Sequence, residues 1–209
     1  MGEAWGAPVR LAATPRPTFC AMNCTTDNED NECIRRCLDG DTDAFEGLVV
    51  RYQKPVFNAV YHMVRNYDDA REICQAVFLK AYVNLKAFDP NRRFFSWIYR
   101  IAMNDSINFL STTHQSESIS PSYPSPASGP AENLEASELG QRMNEEIAKL
   151  SPEQRAVLVL RHFMNCSYEE IAETLQIPEK TVKSRLFDAR QNLRVAFVAL
   201  GYRGGASHG

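Results

Sequence analysis

Apolar residues recur along this chain in two separate stretches, each at the three-and-four spacing of an α-helix. Phe45, Leu48, Val49, Tyr52, Val56, Val60 and Val64 mark one face of a first helix. Asp41 or Thr42 is its candidate cap. Acids at Asp68 and Asp69 open a second helix, which turns Ile73, Val77, Phe78, Ala81, Tyr82 and Leu85 inward. Asp89-Pro90-Asn91 breaks it. A third helix is expected from about Phe94 to Leu110, with Trp97, Ile98, Ile101 and Ala102 as its core stripe. No stretch alternates with period two for long enough to make a strand. The pattern predicts an all-α block.

The second stretch begins with a helix near Leu139 to Leu150. Ser151-Pro152-Glu153-Gln154 then reads as a capping box with Pro at the first helical position. Ser167-Tyr168-Glu169-Glu170 is another capping box, set before Ile171, Ala172 and Leu175. Gln176-Ile177-Pro178 stops that short helix. The last one runs from about Glu179 to Leu200 and buries Val182, Leu186, Ala189, Leu193 and Phe197. A short helix, a tight turn and a longer helix make a helix-turn-helix, with Ala172 where the two cross.

Between the blocks, residues 111–138 hold eight Ser and four Pro with no Lys or Arg. Such a stretch buries too little apolar surface to offset its ordering entropy. The expected organisation is a disordered extension over 1–30, a helical domain over 31–110, an acidic Ser/Pro linker over 111–138, a helix-turn-helix domain over 139–201 and a disordered tail over 202–209. The fold class is therefore all-α, two small helical domains on a flexible linker.

Composition adds bounds rather than an answer. The 209 residues are 44% hydrophobic and 23% charged, with a formal net charge of −3. A polybasic, histone-like mode of nucleic-acid binding is excluded, so any such contact comes from local clusters. The longest apolar run, Val195 to Leu200, is about a third of a membrane-spanning helix. The first residues lack the apolar core of a secretory signal, so a cytoplasmic protein without membrane insertion is expected.

Two clusters carry chemistry. On the last helix Lys180, Lys183, Ser184, Arg185 and Arg190 lie away from the apolar positions, the residue types that reach base edges and phosphates in a major groove. A helical bundle with a solvated basic face is the plainer alternative. Phe88 to Arg100 packs five aromatic residues and three arginines into thirteen positions. Rings stack unpaired bases and arginines neutralise phosphates, although Trp97 and one of Phe94 or Phe95 are expected in the core. His62, His114, His162 and His208 are scattered, and no phosphate-cradling loop or nucleophile–base arrangement exists, so neither an enzyme nor a cofactor is expected.

Cys20, Cys24, Cys33 and Cys37 are spaced C-x3-C-x8-C-x3-C, and four thiolates at such spacings suit zinc. The stronger expectation is no metal. Cys33, Cys37, Cys74 and Cys166 each fall where the helical pattern wants a small apolar side chain.

From about Glu32 to Phe197 the chain resembles the RNA polymerase sigma factors of the extracytoplasmic-function type, in the sigma-70 family. Asp68 to Tyr82 (DDAREICQAVFLKAY) is similar to the region 2 helix that docks on the polymerase clamp. Phe95 to Asn104 (FSWIYRIAMN) is similar to the helix that reads the −10 element. Leu150 to Arg155, Ser167 to Ala172 and Thr181 to Leu186 are similar to region 4. The resemblance implies clamp contacts by Asp69, Ile73, Gln75 and Phe78. It implies a −10 strand held by Asp89, Asn91, Arg92, Arg93, Arg100, Asn104 and Asn108. It places Lys180, Thr181, Lys183, Ser184, Arg185, Phe187, Asp188 and Arg190 at a −35 duplex. Core RNA polymerase, promoter DNA and an anti-sigma factor are the implied partners. The family pattern differs at Ala76, usually Glu, at Gln176, usually Gly, and at Asp188, often basic. A stand-alone helix-turn-helix regulator is the competing reading.

Overall fold

A computed structural model describes residues 24–116 and 138–199, all of whose regular elements are helices. The N-terminal bundle is α1 (Cys24–Leu38), α2 (Ala44–Val64), α3 (Tyr67–Val83) and α4 (Phe94–Ser116), with one 3-10 turn at Leu85–Ala87 before the loop that leads into α4. The C-terminal module is α5 (Glu138–Ala148), α6 (Pro152–Leu158), α7 (Tyr168–Leu175) and α8 (Glu179–Ala199).

The apolar stripes become the core as the periodicity requires. Leu48, Val56, Val60, Val77, Ile98 and Ala102 are completely buried where α2, α3 and α4 pack on one another. Phe94 and Phe95 are both buried, and Trp97 is half-buried beside Phe88 and Phe94. Tyr82, expected inward, is exposed, although its ring meets Phe45 edge-on at 5.2 Å. Asp41 stands at the start of α2, where the Arg36 guanidinium, with the backbone N–H groups of Ala44 and Asp43, holds its carboxyl below the usual range. Asp43 holds the N-cap position and makes no side-chain cap bond. At the other end Arg65 turns left-handed (φ 60°). Asn66 then caps α3, its Oδ1 accepting from the N–H groups of Asp68 and Asp69 at 2.9 and 3.3 Å.

Two expected boundaries are corrected. Helix α1 starts at Cys24, inside the 1–30 extension, because Asp30 is buried between Arg51 and Tyr52 of α2. Tyr52 donates to it at 2.5 Å, and Arg51 pairs with its other oxygen. Burial pushes the Asp30 carboxyl above its ordinary range despite those donors. Helix α4 continues to Ser116, six residues into the expected linker, with the Ser111 and Thr112 hydroxyls bonding back to carbonyls one turn earlier. The remainder of the expected extension and linker, 1–23 and 117–137, lies outside the described residues, as do the expected tail over 202–209 and the last two residues, 200–201, of the expected second domain.

In the C-terminal module both capping boxes form. Ser151 and Gln154 exchange bonds at 3.3 and 3.4 Å, and Ser167 and Glu170 at 3.1 and 2.8 Å. Helix α6 widens into a π-turn over Val159–Phe163 that the sequence pattern does not announce. Helices α6 and α7 both pack on α8. Gln176 ends α7 in the left-handed conformation, φ 54° and ψ 44°, where glycine would be unstrained.

The two blocks are not apart. Helix α7 and helix α6 lie against α4, and one apolar cluster runs through both blocks, from Ile34 to Leu186. Arg155, 2% exposed, donates to the carbonyl of Met63 at the end of α2 (2.6 Å) and to those of Ala148, the last residue of α5, and Leu150 just beyond it. A cation at carbonyl-rich helix ends is favourable, and here it ties α2 to the C-terminal module.

Candidate nucleic-acid interface

The helix-turn-helix presents one polar face. Ile171, Val182 and Leu186 fix α7 and α8 against the core, and that leaves Lys180, Lys183, Ser184, Phe187, Asp188 and Arg190 exposed on α8. Thr181 and Arg185, one turn apart, are half-buried. Phe187 is 68% exposed, an apolar ring with no core role. Lys183 bonds Glu179 at 2.6 Å and sits 5.8 Å above the Tyr168 ring; the carboxylate holds its ammonium above the usual range. Arg161 lies over the same ring at 5.1 Å. Arg190 donates to His162 Nε2 at 3.2 Å, and burial together with Arg190 and Arg161 pushes that imidazole down, towards the neutral form. Arg161, His162 and Tyr168 escaped the sequence reading, because only the turn of the chain between α6 and α7 brings them beside α8.

The second polar surface runs along α4. Arg100, Asn104 and Asn108 follow one another at one-turn intervals, Arg100 half-buried and both asparagines exposed. The loop at its start is folded on itself. Asp89 Oδ1 accepts from the backbone and side-chain N–H groups of Asn91, both at 3.0 Å, and its other oxygen lies 3.7 Å from Arg92. Asp89, Asn91 and Arg92 are exposed. Arg93 is half-buried, because it reaches Asp27 of α1 and Glu170 of α7.

Between α2 and α3 lies a mixed groove of about 570 Å³, lined by Val49, Gln53, Lys54, Phe57, Arg71, Cys74, Gln75 and Phe78. Two of the residues expected at the clamp, Gln75 and Phe78, line it. Ile73 is 8% exposed and belongs to the core, and Asp69 is half-buried at the start of α3. The positions 71, 75 and 78 make one helical stripe, so Arg71 was legible from the spacing. The α2 wall was not, since Val49 read as core and the spacing gave Gln53, Lys54 and Phe57 no role.

Cys74 and Cys166 are buried free thiols, and burial pushes Cys74 up to about 11. Cys33 and Cys37 are half-buried free thiols where α1 meets α2. Among the described residues no three His, Cys, Asp or Glu side chains are grouped to hold a metal. Cys20 and the Cys24 side chain lie outside those described. No described helix is long and apolar enough to cross a membrane.

The chain matches known proteins over both blocks. The Sigma-70 region 2 family matches residues 48–115, and the Sigma-70 region 4 family matches 140–193. The ECF RNA polymerase sigma factor SigW of Bacillus subtilis (strain 168) is 34% identical over 173 residues, covering 77% of this chain and 92% of that protein. The solved structure of CnrH in complex with the cytosolic domain of CnrY is 25% identical, with a TM-score of 0.61 over 82% of this chain and 98% of that one. The fold is shared also by the sigma factor RpoE in complex with the anti-sigma factor NepR from Bartonella quintana, 20% identical, TM-score 0.58, covering 74% of this chain and 96% of that one. With two helical blocks in this order, both polar surfaces on the blocks so matched, and a full-length relative above 30% identity, the chain belongs to the RNA polymerase sigma factors of the extracytoplasmic-function type.

Proposed function

We propose that this sigma factor divides promoter recognition between its two polar surfaces, α8 at a −35 duplex and α4 with its preceding loop at the melted −10 strand. As a member of its family it binds core RNA polymerase and directs promoter-specific initiation. It supplies no bond chemistry of its own. Its place of work is the cytoplasm, with the polymerase. The observation that carries the reading is the line Arg100, Asn104 and Asn108 on α4, the helix that the exposed Asp89, Asn91 and Arg92 loop leads into. A pocket that exists only for an unpaired base makes strand separation favourable, and a row of amides and cations suits the strand that follows. Lys183, Ser184 and Phe187 are the side chains assigned to base edges at −35. Gln75, Phe78, Arg71 and the α2 wall of the groove are assigned to the polymerase clamp. A stand-alone regulator would leave that groove and the α4 line without a task. By likeness to the RpoE complex an anti-sigma factor is a further expected partner.

Two measurements test this. Core polymerase with the chain should start transcription at promoters that core alone ignores; failure across all candidate promoters returns the stand-alone regulator. Lys183→Ala should weaken −35 binding by about 1–3 kcal/mol with lost discrimination at one base pair. Equal weakening on every sequence would reassign Lys183 to phosphate.

A further inference from the structure

The two surfaces differ in access. On α8, Lys180, Lys183, Ser184, Phe187 and Arg190 are open to solvent. On α4 the first two turns are covered by α7 of the other block. Arg93 Nη1 donates to Glu170 Oε1 at 2.9 Å. Arg100 donates to the carbonyls of Thr174 and Glu173, both at 3.3 Å. Ser96, fully buried, lies with its hydroxyl 3.5 Å from Glu173 Oε2. Asp89, Asn91, Arg92, Asn104 and Asn108 remain exposed on either side.

The acceptors on α7 are of the kind a nucleic-acid strand would bring. Arg93 meets anionic oxygens, and Arg100 meets the carbonyls that carry the negative end of the α7 dipole. Glu170 is shaped for both of its tasks. One oxygen closes the capping box at Ser167 N, which leaves the other for Arg93. We propose that α7 is an internal stand-in for the −10 strand, occupying Arg93 through Glu170 and Arg100 through its C-terminal carbonyls, with the Glu173 carboxylate set beside them against Ser96. The closed chain can then grip a −35 duplex but not a melted strand until its blocks part. The proposal rests on the assignment of Arg93 and Arg100 to the strand path.

A second feature of the seam favours parting. Thr174 is fully buried in it, and among the described residues its hydroxyl has no partner. A buried hydroxyl left unpaired is a cost that opening removes. The apolar part of the seam, with Tyr99 donating to the Met164 sulfur at 3.4 Å, holds the closed state together meanwhile.

The test uses the full chain and two fluorescein-labelled probes of random sequence, a single strand of about 20 nucleotides and its duplex, read by anisotropy. The pair Glu170→Gln and Glu173→Gln keeps a capping acceptor at Ser167 and removes both acids. It should raise single-strand affinity roughly three- to tenfold and leave duplex affinity unchanged. Glu72→Gln with Glu169→Gln removes the same charge from exposed sites and should change neither. A gain on both probes, or an equal gain in that control pair, would reduce the effect to net charge and overturn the stand-in. In the double-Gln background, Arg93→Ala with Arg100→Ala should abolish the gain. If those alanines weaken strand binding but the glutamines do not strengthen it, the stand-in fails and the strand assignment survives. If neither pair moves strand binding, the assignment itself fails and takes the proposal with it.

Discussion

At the scale of single residues, His62 shows how position overrides type. Its ring stacks on Phe163 of the C-terminal module at 3.7 Å, and Arg65 lies 3.1 Å from its Nδ1. Arginine has only donors, so Nδ1 accepts and the proton sits on Nε2. Burial, helped by the Arg65 charge, lowers the ring from 6.5 to about 4. Between those values the unfolded chain takes up a proton that the folded ring refuses, so stability falls as pH drops from 6.5 towards 4. The full difference corresponds to roughly 3 kcal/mol. Asp30, held above its ordinary value, works in the opposite direction as acid is added, so the comparison must be with a variant. Urea unfolding at pH 7 and at pH 4.5 should show a markedly smaller acid loss in His62→Gln than in the unaltered chain. Equal losses would place the titration elsewhere. None of this was visible in the sequence, where His62 is one of four scattered histidines. Its partner Phe163 lies about a hundred residues on, in a π-turn that no local pattern announces.

At the scale of elements, the legible features were those decided within one turn of helix. Both capping boxes, the turn at Gln176 and the deepest positions of the α2, α4 and α8 stripes are local statements, and the structure carries them. Val49, Val64, Trp97, Ile101, Leu193 and Phe197 of those stripes are only half-buried. The features that escaped are long-range. The start of α1 depends on Asp30 finding Arg51 and Tyr52, and the groove wall depends on α2 meeting α3. The Ser167 cap is the sharpest local device, because it sets the start of the helix that both supports α8 and covers α4. Ser167→Ala should lower stability by about 1 kcal/mol, and Ser167→Asp, an equally good N-cap, should restore it. Midpoints of urea unfolding decide this. An alanine variant as stable as the original would mean that packing of Ile171 alone holds α7 in place.

At the scale of the whole molecule, the question is whether two blocks matched to two separate families unfold as one. The apolar cluster does not stop at the boundary. Met164, 7% exposed, contacts Tyr99 across the seam, and Arg155 bonds the Met63 carbonyl from the other side. A core shared in this way couples the blocks, because neither can expose its seam without losing contacts in both. Urea curves from Trp97 emission, read in a Trp5→Phe background, should therefore superimpose on those from far-UV ellipticity. Trp97 reports on the N-terminal bundle, whereas ellipticity counts helices in both blocks. Met164→Asp would bury a carboxylate against Tyr99, a cost of several kcal/mol that parting of the blocks relieves. In that variant the two curves should separate, ellipticity falling in two steps. If they still coincide, the seam does not set cooperativity, and each block draws its stability from its own helices. If they separate while single-strand binding rises, one substitution will have opened the seam, releasing Arg100 from α7 and Arg93 from Glu170 while Asp27 stays beside Arg93, and linking the stability of the closed form to its silence at −10.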